Sequence, residues 1–157
     1  MPAVRPEDEY VRALELATPF LGVATRRWLD QRITALIHNP SPRTLVHRDF
    51  RLEHLYIDAQ HNLVGVIDFG DATIDDTALD FAKLDGEVSD AFLAEILQSY
   101  RGPEGDHTSG RIRTYREIHP LFEVADPDGW GDRPSALRRL AAQAAATSRH
   151  TTRLTRP

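Results

Sequence analysis

Two runs of strand-forming residues, Leu55-Tyr56-Ile57-Asp58 and Leu63-Val64-Gly65-Val66-Ile67, flank the turn Ala59-Gln60-His61-Asn62, and this segment constrains the fold more than any other. Aliphatic, β-branched and aromatic residues on either side of a short polar turn predict a β-hairpin. In a hairpin the first residue of one strand lies beside the last residue of the other. The hairpin therefore carries His54, which precedes it, next to Asp68, which follows it fourteen residues later. Two polar segments meet at that end: His47-Arg48-Asp49-Phe50-Arg51-Leu52-Glu53-His54 leading in and Asp68-Phe69-Gly70-Asp71 leading out. Carboxylate and imidazole side chains of this kind bind cations or accept protons.

Helices surround this segment. Tyr10, Val11, Leu14 and Leu16 fall at near-helical spacing from Pro6 to about Thr18, and a second helix is expected from Pro19 to His38 before the terminator Asn39-Pro40-Ser41-Pro42. Thr44-Leu45-Val46 reads as a short extended run into His47. Thr77–Leu84 is expected to be helical with Asp75 or Asp76 as its N-cap, followed by an amphipathic helix from Ser89 to Tyr100 with Phe92, Leu93, Ile96 and Leu97 inward. Further helices are expected over Ser109–Glu123 and from Ser135, as N-cap after Pro134, to about Thr147. The fold class is thus α+β and predominantly helical, as one domain over residues 1–148 with a basic, disordered tail over 149–157.

Composition narrows the chemistry. There is no cysteine, so any metal must be held by Asp, Glu or His and is expected to be a hard cation. No signal-like N-terminus and no long apolar run is present, which predicts a soluble cytoplasmic protein without membrane contact. The net charge of −5 argues against a nucleic-acid surface. Between Asp68 and Asp90 the chain sets eight carboxylates against the single cation Lys83, so a cationic small molecule is the expected partner of this segment.

The pattern His47-x-Asp49-x-x-x-x-His54 followed by Asp68-Phe69-Gly70 resembles the superfamily of protein kinases and of aminoglycoside and macrolide phosphotransferases. It is most similar to the aminoglycoside 2''-phosphotransferase type, in which the catalytic loop commonly ends in His and the metal loop continues Asp-Phe-Gly-Asp, as in Asp68-Phe69-Gly70-Asp71. The resemblance implies a kinase-like C-terminal lobe with Asp49 as the catalytic aspartate, His54 and Asp68 as Mg2+ ligands, and His47 and Asp80 as structural residues of the site. It also implies ATP or GTP as phosphate donor, and Asp71, Asp75, Asp76 and Glu123 are candidate contacts to an aminoglycoside-like substrate. Phosphoryl transfer proceeds through a loose transition state, so an aspartate need only orient the attacking hydroxyl and take its proton late. The absence of a long activation segment and of Ala-Pro-Glu after Asp68 argues against the protein-kinase branch. Arg48 departs from the pattern, because relatives often have Gly or Asn there.

What a kinase places before these loops is missing. No Gly-x-Gly-x-x-Gly occurs among the nine glycines, and Lys83, the only lysine, follows the metal loop instead of preceding the catalytic one. The expectation is a C-terminal lobe without its N-terminal lobe, inactive alone and completed by a separately encoded lobe or by dimerisation through an exposed apolar face. Two other readings stay open: a non-catalytic binding module for a cationic small molecule, and a metal-hydrolase site built from His47, Asp49, His54 and Asp68.

Overall fold

The computed structural model describes residues 6–102, 108–129 and 131–154. In chain order the elements are α1 (Pro6–Ala17), α2 (Val23–His38), β1 (Arg43–Val46), β2 (Leu55–Ile57), β3 (Leu63–Val66), β4 (Thr73–Asp76), α3 (Ala78–Leu84), α4 (Asp90–Ser99), α5 (Thr108–Ile118), α6 (Pro120–Ala125) and α7 (Arg133–Leu154). Helices dominate and the strands form two small antiparallel pairs, β1 with β4 and β2 with β3, which is the fold class expected from the sequence. The chain divides into two compact units, Met1–Pro40 with Glu117–Pro157, and Ser41–Arg116.

The first unit is helical. Tyr10, Ala13, Leu14 and Ala17 on α1, Trp28, Leu29, Ile33 and Leu36 on α2, and Ala136, Leu140 and Ala144 on α7 are buried at three- and four-residue spacing, the stripe that a helix presents to a core. α6 adds Leu121 and Val124, and α1 packs on α2 and α6 while α7 packs on α2 and α6. The Trp28 indole donates to Thr147 Oγ1 at 3.1 Å, giving a buried polar tip its partner.

Four helix boundaries differ from expectation, most for a local reason. The chain does not continue helically from Pro19: a 3-10 turn over Thr18–Phe20 ends in extended Leu21 and Gly22, and α2 begins at Val23. The expected Ser109–Glu123 helix is two helices, because Pro120 has no N–H to donate and so opens α6 as its first residue. α7 is capped by Asp132, whose Oδ1 accepts the Ser135 N–H at 3.0 Å, so Ser135 lies inside the helix and is not its cap. The helix also continues through Leu154, which makes most of the tail expected over 149–157 helical; Thr147 and Ser148 fold their hydroxyls back onto the Gln143 and Ala144 carbonyls. Residues 155–157 lie outside the described residues.

The second unit holds both strand pairs. The β2–β3 hairpin forms where expected, with Leu55 opposite Val66, Tyr56 opposite Gly65 and a bulge between Tyr56 and Ile57. Its tight end is built by Asp58, whose Oδ1 accepts the N–H groups of Gln60 and Asn62. β4 was not expected, since Thr73-Ile74-Asp75-Asp76 has weak strand propensity. It pairs with β1 from Arg43↔Asp76 to Val46↔Thr73, and Arg111 on α5 meets the buried Asp76 carboxylate through Nε at 2.7 Å and through Nη2. Asp76 Oδ1 also accepts the Ala78 N–H at 2.9 Å, so this residue does anchor the start of α3. No helix among the described residues is long and apolar enough to cross a membrane.

Candidate active site

The two polar segments that the hairpin joins lie together within the second unit. Ile67 N donates to the His54 carbonyl at 3.0 Å, extending the β2–β3 ladder to the residue before Asp68. His47 adds a second tie: its Nε2 lies 2.7 Å from the Ile67 carbonyl, and because a carbonyl only accepts, Nε2 carries the proton. The His47 ring is buried, 4.6 Å from the Phe69 ring and stacked at 5.7 Å on that of His54. Its Nδ1 has no hydrogen-bond partner.

The first loop is held from below by carboxylates on or near α3. Asp80 Oδ2 accepts the His47 N–H at 2.9 Å and Oδ1 the Arg48 N–H at 2.8 Å. Burial raises the Asp80 pKa, and the two backbone donors oppose that rise. Arg48 sits in the left-handed region at φ 67°, a conformation that glycine and asparagine, the residues the resemblance would place here, adopt more readily. Further along, Glu87 accepts the Leu52 N–H at 2.7 Å and Arg51 Nε at 2.9 Å. These two bonds, the backbone one first, hold its carboxyl below the usual range. Arg51 also pairs with Glu53 at 3.2 Å, and its guanidinium is raised chiefly by the bond to Glu87.

His54 and Asp49 are set by one hydrogen bond. His54 Nδ1 donates to the Asp49 carbonyl at 2.8 Å, which leaves the lone pair on Nε2. Nε2 faces Asp68 Oδ2 at 3.7 Å. Asp68 is exposed and left-handed, at φ 64° and ψ 55°. The Asp49 carboxylate stands 3.8 Å through Oδ2 from His54 Nδ1 and 3.7 Å through Oδ1 from Lys83 Nζ. Among the described residues no group of three or more His, Asp or Glu side chains converges as a metal cage. An imidazole lone pair facing a carboxylate could supply two ligands to a hard cation, and Mg2+ commonly takes few protein ligands and fills its octahedron with waters and phosphate oxygens.

His47, Asp49, His54, Asp68 and Asp80 are therefore gathered at one place. Asp71 ends the exposed 3-10 turn Phe69–Asp71 just beyond it. Asp75 and Asp76, expected to face a cationic ligand, point inward instead: they are 2% and 4% exposed, Asp75 Oδ1 accepts the Asp76 N–H, and Asp76 holds Arg111. Glu123 belongs to the first unit, where it pairs with Arg139 at 2.5 Å. Sequence reasoning missed Glu87 and Lys83 as neighbours of the loop. Glu87 carries no motif signal, whereas Lys83 could have been found as the single lysine one helical turn after Asp80.

A sequence model of the phosphotransferase enzyme family matches residues 2–121. The chain belongs to that family. Among solved structures, the chain is similar to the GDP complex of wild-type aminoglycoside 2'-phosphotransferase-IIIa, with a TM-score of 0.69 and 19% identity over 94% of this chain. A point mutant of that enzyme, also a GDP complex, gives a TM-score of 0.67 and 20% identity over 93% of this chain. At such identity the likeness establishes the fold. The phosphotransferase-family chain spans about half of those structures, 54% and 53%.

Proposed function

We propose that this chain is the catalytic half of a small-molecule O-phosphotransferase, acting on a hydroxyl of a cationic, aminoglycoside-like substrate with ATP or GTP as donor. The observation that carries the reading is the tautomer of His54: with Nδ1 bound to the Asp49 carbonyl, its Nε2 lone pair faces Asp68, while the Asp49 carboxylate lies 3.8 Å from the Nδ1 edge of the same ring. Asp49 would accept a hydrogen bond from the attacking hydroxyl and take its proton as the new bond to phosphorus forms. The Asp80 and Glu87 anchors hold the loop that carries Asp49, so little reorganisation remains at the moment of transfer. His54 and Asp68 would hold Mg2+, which supplies charge neutralisation on the donor phosphates.

The 157 residues contain neither a glycine-rich phosphate loop nor a lysine ahead of the catalytic loop, so nucleotide bound by these residues alone is expected to be weak and turnover by the isolated chain low. Tyr56, Ile57, Leu63 and Val64 of the hairpin are all more than half exposed, which supports a covering partner, either a separately encoded lobe or a second copy. Light scattering that finds a monomer with no affinity for a hydrophobic dye would remove that part of the reading.

Calorimetry of magnesium-dependent ATP and GTP binding, with Asp68→Ala as control, tests the site. Binding at millimolar nucleotide that disappears in the variant is the expected result. Aminoglycoside binding without any nucleotide binding would instead favour a non-catalytic module for a cationic ligand.

A further inference from the structure

The geometry points to Lys83, which stands beside Asp49, as the cation that contacts the transferring phosphoryl group. This rests on the phosphotransferase reading above and adds a residue to it. Lys83 Nζ lies 3.7 Å from Asp49 Oδ1, beyond hydrogen-bond length, and both side chains are 32% exposed. The pair is thus an ion pair that a ligand can reach.

The other cations of the loop are turned elsewhere. Arg51 is engaged by Glu87 and Glu53, and Arg48 Nε lies 3.9 Å from Asp75. Lys83 is also the only lysine among the 19 basic residues. Arginine locks onto a carboxylate through a planar fork, whereas lysine is a point charge with three donors on a flexible stem. A point charge on a flexible stem can pass from Asp49 to a phosphoryl oxygen without breaking a bidentate fork.

Distances agree with this. A hydroxyl bonded to Asp49 sits at about 2.6–3.2 Å from its carboxylate, and the phosphorus it attacks is a further ~3–3.5 Å away. An ammonium already beside that carboxylate is within side-chain reach of a phosphoryl oxygen placed there. In the step itself the acceptor oxygen bonds to the γ-phosphorus as the bond from that phosphorus to the β-bridging oxygen breaks. The hydroxyl proton passes to Asp49 and nucleoside diphosphate leaves. Lys83 keeps its proton and donates hydrogen bonds only.

A single lysine gives a single side-chain ammonium signal, which makes the test direct. The full chain, labelled with 15N, is titrated with magnesium tripolyphosphate while the Lys83 Nζ and His54 ring signals are followed by NMR. The expected result is that both signals shift with one affinity, that Lys83→Met weakens the affinity about fivefold, the size of one exposed ionic contact, and that Lys83→Arg restores part of it. A shift at His54 with none at Lys83 overturns the inference and leaves the magnesium-phosphate site standing. No shift at either residue overturns both. Unchanged affinity in Lys83→Met, in a protein whose remaining spectrum shows it folded, likewise rejects Lys83 as a phosphate contact.

Discussion

The loop from His47 to His54 and the loop from Asp68 to Asp71 carry the two halves of one proposed site, yet they are supported in opposite ways. The first has two carboxylates dedicated to its backbone: Asp80 takes the N–H groups of His47 and Arg48, and Glu87 takes that of Leu52. The second is tied at its entrance, where the Ile67 carbonyl meets His47 and the Ile67 N–H meets His54. Beyond that point Asp68 is exposed and left-handed. A base that must align a hydroxyl benefits from a fixed backbone, whereas a metal ligand completed by waters and phosphates tolerates an open one. Stability should therefore depend chiefly on the first loop, whereas the second should serve cation binding with little effect on stability.

Asp80 should give the largest effect on folding. Asp80→Ala leaves two part-buried N–H groups without their acceptor, and at about 1–3 kcal/mol for each unsatisfied group a loss of ~2–4 kcal/mol is expected in urea unfolding. A loss under ~1 kcal/mol would mean that water replaces the carboxylate, removing the asymmetry between the loops. The pH dependence has a defined sign. Burial raises the Asp80 pKa in the folded state above its unfolded value, so this group favours folding most below the unfolded value and loses that contribution as pH rises through the folded one. The advantage of the wild type over Asp80→Asn should accordingly shrink as pH climbs out of the ordinary carboxylate range.

The same contrast explains what could be read from the chain. The hairpin, the juxtaposition of His54 with Asp68, and most helices follow from local patterns: alternating strand residues around a polar turn, and apolar residues at helical spacing such as Tyr10 and Leu14, although Val11 and Leu16, read as part of the same stripe, and Phe92, expected inward on α4, are exposed. What escaped reading depends on partners distant in sequence. β4 exists because β1 pairs with it and Arg111 neutralises Asp76, and a sequence showing Asp75 and Asp76 in an acidic run gives no sign that both are buried. Glu87 was one carboxylate among eight until its bond to Leu52, 35 residues away, singled it out. The break at Pro120 is different in kind, since the proline was visible and its consequence is local.

Glu87 supports the first loop from a more solvated position, so its removal should cost less. Glu87→Gln keeps an acceptor for Leu52 but loses the charge shared with Arg51, and a loss of about 1 kcal/mol at neutral pH is expected. The sign of its pH dependence is opposite to that of Asp80. Its folded pKa is lowered, so its contribution is present above the ordinary glutamate value and is lost as pH falls through the folded one. Stability curves of the two variants against pH should therefore diverge from the wild type in opposite directions. Parallel curves would show that the two anchors do not differ in burial as the structure has them.

Asp68 should have the smallest effect on stability and the largest on ligand binding. Asp68→Asn keeps a residue that tolerates left-handed backbone and alters only an exposed carboxylate, so the change in unfolding free energy is expected to stay within ~0.5 kcal/mol. Magnesium-dependent nucleotide binding should nevertheless be lost, because an amide offers no charge to the cation beside His54 Nε2. The discriminating measurement pairs urea unfolding with calorimetry on one sample. If Asp68→Asn destabilised the chain as strongly as Asp80→Ala, the second loop would be a folding element and not an open ligand. If it retained binding, the cation would have to be held without Asp68, and the lone pair of His54 would lose the partner that makes it half of a metal site.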